Sequence, residues 1–286
     1  MADGLSVAVL GSNGFIGRHL CRRLRADGHE VIGWTSRDCD LTDALEVKQK
    51  LATLPAGVRV VMCATVNRSV EDSYRAMGRN LLMAENLVDG APDGRIGSLL
   101  FLSTVDVYGR APRCPITERT APRPMNYYGI GKLASEHLLR RPGAIDCPVT
   151  VLRLPGVYGP GDGQRSIVGA FLRRIARGEE IVLNGDGSVL RDYIEVTDVY
   201  RIVASLLENP SNTLLNVAKG ESVSLMQVIE TLASAVGRSA ELSMREADDS
   251  AAGDLVFDIA ALRSAVPDLG FTPLAAGAEH YLQALD

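Results

Sequence analysis

The sequence has no surplus of positive charge. Its 30 lysines and arginines are outnumbered by 35 aspartates and glutamates, a net charge of −5. That balance argues against a nucleic-acid surface, because such surfaces neutralise phosphates with clustered cations. No apolar run reaches the roughly 20 residues that a membrane helix needs, so no membrane association is expected. The opening stretch MADGLSVAVLGSNG lacks the basic region followed by an apolar segment that marks a secretory leader. Five cysteines, Cys21, Cys39, Cys63, Cys114 and Cys147, are scattered and odd in number. They read as reduced thiols and point to a cytoplasmic protein. The four histidines, His19, His29, His137 and His280, lack the spacing of metal ligands, and no metal is expected. There is no internal repeat, low-complexity tract or long linker.

What is present is a regular alternation. The runs SVAVLGS, HEVIGW, VRVVMCA, GSLLFLST and PVTVLRL are short, apolar and rich in β-branched residues, as buried parallel strands are. Between them lie amphipathic stretches such as YRAMGRNLLMAENLV. In FIGRHLCRRLRADG, helical spacing turns Phe15, Ile16, Leu20 and Leu24 inward and leaves Arg22, Arg23 and Arg25 as a solvated face, and Gly28 ends the helix. Arg173, Arg174 and Arg177 read the same way. Strand–helix alternation predicts an α/β fold, a doubly wound parallel sheet with helices on both faces. Ligands of such sheets bind at the carboxyl ends of the strands.

Two local patterns carry chemistry. Gly11, Gly14 and Gly17 form G-x-x-G-x-x-G between the first strand and the first helix. Glycine lets the backbone turn tightly and approach a pyrophosphate, and the helix N-terminus supplies amide donors. In NYYGIGK, Tyr128 and Lys132 are four apart and share a helix face, whereas Tyr127 points elsewhere and is expected to pack. An ammonium beside a phenol stabilises the phenolate, so Lys132 is expected to lower the pKa of Tyr128. Gly129 and Gly131 disfavour helix and are expected to leave room where cofactor or substrate lies close.

The glycine spacing and the Y-x-x-x-K pair together resemble the short-chain dehydrogenase/reductase superfamily. The resemblance is to its extended branch, the NAD-dependent epimerase/dehydratase family acting on nucleotide sugars, and it spans nearly the whole chain. It implies a Rossmann-type domain over 1–155, with 189–218 returning to it. A smaller C-terminal substrate lobe would be formed by 156–188 and 219–286. The implied cofactor contacts are Gly11, Asn13, Gly14, Phe15, Ile16 and Gly17 in the glycine loop, Asp40 and Leu41 at the adenine, and Ala64 beside the cofactor. Lys132 would hold the nicotinamide ribose and Pro155 would border the carboxamide. The acidic residue that binds a ribose 2′-hydroxyl falls at Thr35, followed by Ser36 and Arg37. Without that carboxylate, and with an arginine able to grip a 2′-phosphate, NADP(H) is favoured and NAD(H) is the alternative.

The resemblance also assigns the substrate side. Aligned on Val107-Tyr108-Gly109, the hydroxyl that holds the substrate oxygen is Thr104, with Ser103 as the fallback. Alternation along a strand keeps the two from sharing one face. Tyr128 would protonate the alkoxide as a ketone carbon accepts hydride. The segment LNGDGSVLRDYIEVTDV resembles the diphosphate-binding segment of nucleotide-sugar members and places Arg191 on the substrate diphosphate, with an internal ion pair to Asp192 or Asp198 as the other reading. Val105, Gly156 and Arg165 complete the substrate set. Gly156 stands where the family usually has asparagine. In dehydratases the positions after the threonine carry an acid–base pair, and here they are Val105 and Asp106. Valine transfers no proton, so a dehydratase is set aside. The expected activity is an NADPH-dependent reductase of a nucleotide-linked 4-keto-6-deoxy sugar. The alternatives are an NAD-dependent nucleotide-sugar 4-epimerase, a reductase of non-nucleotide ketones or aldehydes, and a non-catalytic dinucleotide-binding sensor or scaffold. The family also implies a homodimer, formed through helices such as the one beginning near Tyr128.

Overall fold

The computed structural model describes residues 4–110, 112–163, 165–246 and 253–284. The apolar runs become strands and the amphipathic stretches become helices. In order they are β1 (Ser6–Leu10), α1 (Phe15–Ala26), β2 (Glu30–Trp34), α2 (Ala44–Thr53), β3 (Val58–Met62), α3 (Tyr74–Gly90), β4 (Ile96–Thr104), α4 (Tyr127–Leu139) and β5 (Val149–Leu154). There follow β6 (Gly156–Tyr158), α5 (Ile167–Arg177), β7 (Ile181–Asn184), β8 (Leu190–Arg191), β9 (Tyr193–Glu195), α6 (Val196–Glu208) and β10 (Thr213–Asn216). The chain closes with β11 (Val223–Ser224), α7 (Leu225–Val236), β12 (Leu242–Arg245), α8 (Ala260–Ala265) and α9 (Leu274–Gln283).

One six-stranded sheet runs β10-β5-β4-β3-β1-β2. Its β1–β2, β1–β3 and β3–β4 pairs are parallel. The chain steps from β1 to β2 on one side and then returns to place β3 on the other, so the order reverses between β1 and β3. Leu10 is level with both Trp34 and Met62, and the three carboxyl ends finish together. This is the switch point where an open α/β sheet takes its ligand. Beneath it, Leu10, Met62 and Phe101 from the strands pack with Leu51 and Leu87 from α2 and α3 in one buried cluster. Each fully buried side chain of this size contributes about 1.5–3 kcal/mol.

The chain divides into two compact units. The first holds 1–107, 122–153 and 200–215, and the second holds 108–121, 154–199 and 216–286. The return to the sheet unit thus starts at Tyr200 rather than at 189, and the loop 108–121 goes with the second unit. Hydrogen bonds explain the loop's membership. The Tyr108 hydroxyl donates to Asn216 Oδ1 at 2.6 Å, and the Ile116 N–H donates to the Val256 carbonyl at 2.7 Å. Within the second unit, α5, α7 and α9 share a core of Leu172, Ile175, Val228, Leu232, Ala278 and Tyr281. Ser224 and Gln227 form a capping box at the start of α7.

Candidate active site

The glycine loop is built by exclusion of side chains. Gly11 sits at φ +86°, a left-handed conformation that costs other residues strain, and a Cβ there would meet the Ala64 nitrogen at 2.7 Å. A Cβ at Gly17 would collide with the Gly11 carbonyl. The loop is pinned from β2: the Gly11 and Ser12 N–H groups both donate to the Trp34 carbonyl, at 2.8 and 2.9 Å. Gly14 caps α1 with no side-chain hydrogen bond, and the first turn carries no acidic residue. A helix start without its own anion or cap is suited to phosphate oxygens. The cradle therefore fits a dinucleotide pyrophosphate, and the Ala64 backbone lies against Gly11 within it.

After β2 the chain makes a tight turn. Asp38 accepts from both the N–H and the hydroxyl of Thr35, at 2.9 and 2.7 Å, and these bonds hold its carboxyl below the usual range. Ser36 and Arg37 are exposed on this turn. Asp40 accepts from Thr42, while the Leu41 side chain is buried in the sheet core. Any contribution of Leu41 to a ligand is thus through its backbone.

The catalytic candidates from the sequence, Thr104, Tyr128 and Lys132, all lie in the first unit. Strand alternation separates the two hydroxyls at the end of β4. Ser103 is buried and donates to Glu136 Oε1 on α4, and Glu136 in turn takes a bidentate pair from Arg153 on β5, the shortest contact 2.6 Å. Thr104 faces the other way, its hydroxyl accepting from the Asp106 N–H at 3.1 Å. That leaves Thr104 as the candidate hydroxyl. Val105 beside it is almost fully buried.

Helix α4 starts at Tyr127, capped by Asn126, whose Oδ1 accepts from the Gly129 N–H at 2.6 Å. Tyr128 and Lys132 then lie on one face. Lys132 is buried, its Nζ donating to the Leu102 carbonyl at 2.8 Å, 4.6 Å from the Phe101 ring centroid and 5.9 Å from that of Tyr128. Burial pushes its pKa down to about 8. Tyr128 is pushed up to about 12 by burial and then by the Asp106 carboxylate, while Thr65 and Arg68 pull the other way. The expectation that Lys132 lowers the tyrosine pKa is not met: burial raises it, and the Lys132 ammonium donates to the Leu102 carbonyl rather than to the phenol. Two further expectations are corrected. Tyr127 does not pack; it is 45% exposed. Gly129 and Gly131 make room for protein: a Cβ at the first would meet the Asp106 carbonyl at 3.0 Å, and at the second Met77 Cγ on α3 at 3.1 Å.

Sequence reasoning did not assign Thr65, Arg68 or Asp72. The Tyr128 N–H donates to Asp72 Oδ1 at 2.9 Å, and Arg68 Nε lies 3.0 Å from Asp106 Oδ2, which also takes a bond from Asn126. Only Asp106 had a signal, its place just before V-Y-G.

The substrate-side candidates lie in the second unit. Arg191 on β8 is half-buried; its Nη1 donates to the carbonyls of Leu190 and Gly253 at 2.7 and 2.8 Å. Asp192 accepts from the Lys219 and Gly220 N–H groups, and Asp198 from Thr272. A Cβ at Gly156 would meet the Tyr193 ring at 2.9 Å, so the asparagine of the family pattern has no room beside this tyrosine. Pro155 is partly buried and Arg165 exposed. No helix among the described residues is long and apolar enough to cross a membrane.

A sheet wound in this order, with a glycine-rich loop at its switch point, is a Rossmann-type dinucleotide-binding fold. The chain belongs to the NAD dependent epimerase/dehydratase family, whose pattern matches residues 7–218. It is 28% identical over 309 residues to a Streptomyces dTDP-4-dehydro-6-deoxy-D-allose reductase, covering 96% of this chain and 94% of that one. Two solved structures share the fold over 98% of this chain. One is the Thermus thermophilus UDP-glucose 4-epimerase in complex with NAD (TM-score 0.83, 27% identity, all of that chain covered). The other is RMD from Pseudomonas aeruginosa complexed with NADPH (TM-score 0.85, 25% identity, 98% of that chain covered).

Proposed function

We propose that this chain is an NADPH-dependent reductase of a nucleotide-linked 4-keto-6-deoxy sugar. The observation that carries the reading is Tyr128, held by α4 on the same face as the buried Lys132, whose Nζ lies 5.9 Å from the tyrosine ring centroid. Reduction of a ketone needs a proton donor for the alkoxide oxygen, and the Tyr128 phenol carries a proton it can give there. A bound nicotinamide supplies the hydride chemistry. Thr104 orients the ketone oxygen, and Lys132 orients the cofactor ribose. Arg191 binds the substrate diphosphate, its guanidinium already oriented by two carbonyls. Similarity to the Streptomyces reductase over nearly the full length supports the substrate class. Thr35 at the end of β2, where NAD enzymes place an acid, supports the cofactor choice.

The second reading, a 4-epimerase holding NAD, draws on the likeness to the Thermus enzyme. The two differ in stoichiometry. Incubation with NADPH and a dTDP-4-keto-6-deoxyhexose should consume one NADPH per sugar reduced, followed by loss of absorbance. Interconversion of sugar epimers without net cofactor consumption would instead establish the epimerase.

We also infer a homodimer through α3 and α4. Tyr74, Leu82, Tyr127 and Ile130 are apolar side chains left exposed on these two helices, Tyr74 by 71%.

A further inference from the structure

The cations of α1 do not form a uniform solvated face. Arg18, Arg22 and Arg25 recur at intervals of four and three, one stripe of the helix. With Ser12, Cys21 and Gly33 they line a depression of about 400 Å³. Arg23 is not among the lining residues, and neither is any carboxylate. The depression is bounded by the glycine loop on one side and by β2 on the other. The N–H bond of Ser12 to Trp34 holds it against Gly33, where a Cβ would come within 2.9 Å of the serine Cβ. Because residue 33 has no side chain, nothing from β2 stands between the loop and the arginines. Arg22 Nη2 lies 3.4 Å from His19 Nδ1, and Arg25 Nη2 donates to the Val31 carbonyl at 3.1 Å.

The turn after β2 is a poorer place for a dianion. Arg37 is exposed there, and its neighbour is the ionised Asp38 fixed by Thr35. A phosphate monoester carries close to two negative charges at neutral pH, and guanidinium groups match its oxygens in pairs.

We propose that Arg18 and Arg22, with the Ser12 hydroxyl, bind the phosphate monoester on the adenosine ribose 2′ position of the cofactor, with Arg25 adding to the field. This rests on the NADPH reading above and shifts the recognising residues from the turn after β2 to the first helix.

The test needs no turnover. The full-length protein, stripped of cofactor, is titrated calorimetrically with adenosine 2′,5′-bisphosphate, with 5′-AMP and with inorganic phosphate. The bisphosphate should bind at least about tenfold tighter than 5′-AMP, with free phosphate far weaker than either. Arg18→Ser and Arg22→Ser should each remove most of that preference while leaving 5′-AMP affinity unchanged, which also shows that the variants fold. Arg23→Ser should change neither. The proposal is overturned if the two variants keep the preference, or if Arg37→Ser alone abolishes it. A wild type without any preference overturns both the site and the NADPH choice. Preference lost in the α1 variants, in a protein that does not reduce keto sugars, would leave the site standing and remove the proposed substrate.

Discussion

At the scale of single residues, the protonation states of Tyr128 and Lys132 are set by burial more than by each other. Tyr128→Phe keeps the ring and removes the proton donor. It should lower kcat by about a hundredfold or more while NADPH affinity, read by titration, stays within about twofold. Retained turnover would pass the acid role to another group. Lys132 gives a pH signature. Its folded pKa of about 8 lies below the ordinary value of 10.5. Between those values the unfolded chain therefore binds more protons, and stability gains from this group as pH rises from 8 to 10.5. The burial penalty is fully present below pH 8 and amounts to roughly 3 kcal/mol. Denaturation of wild type and Lys132→Met across that range should show the wild type catching up with the variant; parallel curves would mean the ammonium is not desolvated.

Among elements, β4, α4 and β5 are joined by one polar contact set inside an apolar core. Ser103, Glu136 and Arg153 are each no more than 4% exposed. Removing one partner of a buried pair strands the other charge. Glu136→Gln should cost about 3 kcal/mol or more in chemical denaturation. The double variant Glu136→Leu with Arg153→Met should recover much of that loss. A single variant within 1 kcal/mol of wild type would show that water satisfies Arg153. This contact set also bears on the proposed site hydroxyl: Ser103 is committed to Glu136, whereas Thr104 accepts only from the Asp106 N–H among the described residues.

At the scale of the whole molecule, the exposed apolar side chains of α3 and α4 predict self-association. Ile130→Glu places a charge in that face and should shift sedimentation from dimer to monomer at micromolar concentration, leaving the secondary structure intact. A wild type that sediments as a monomer would remove the dimer.

The sequence alone determined the sheet, the glycine cradle and the Tyr128–Lys132 pair, because each depends on local spacing: apolar runs make parallel strands, a glycine triplet meets a helix start, and four residues make one helical turn. Strand alternation likewise limited the hydroxyl to Ser103 or Thr104. Only tertiary structure distinguishes them, since Ser103 is engaged by Glu136, itself paired with Arg153, 33 and 50 positions away from Ser103. The same holds for the tyrosine. Spacing brings Lys132 onto its face, but the direction of its pKa follows from desolvation and from Asp106, and neither is visible until the chain has packed. The role proposed for the α1 arginines was hidden for the same reason: helical periodicity shows that a stripe points outward, and only the fold reveals that Ser12 of the glycine loop and Gly33 of β2 border the depression it lines.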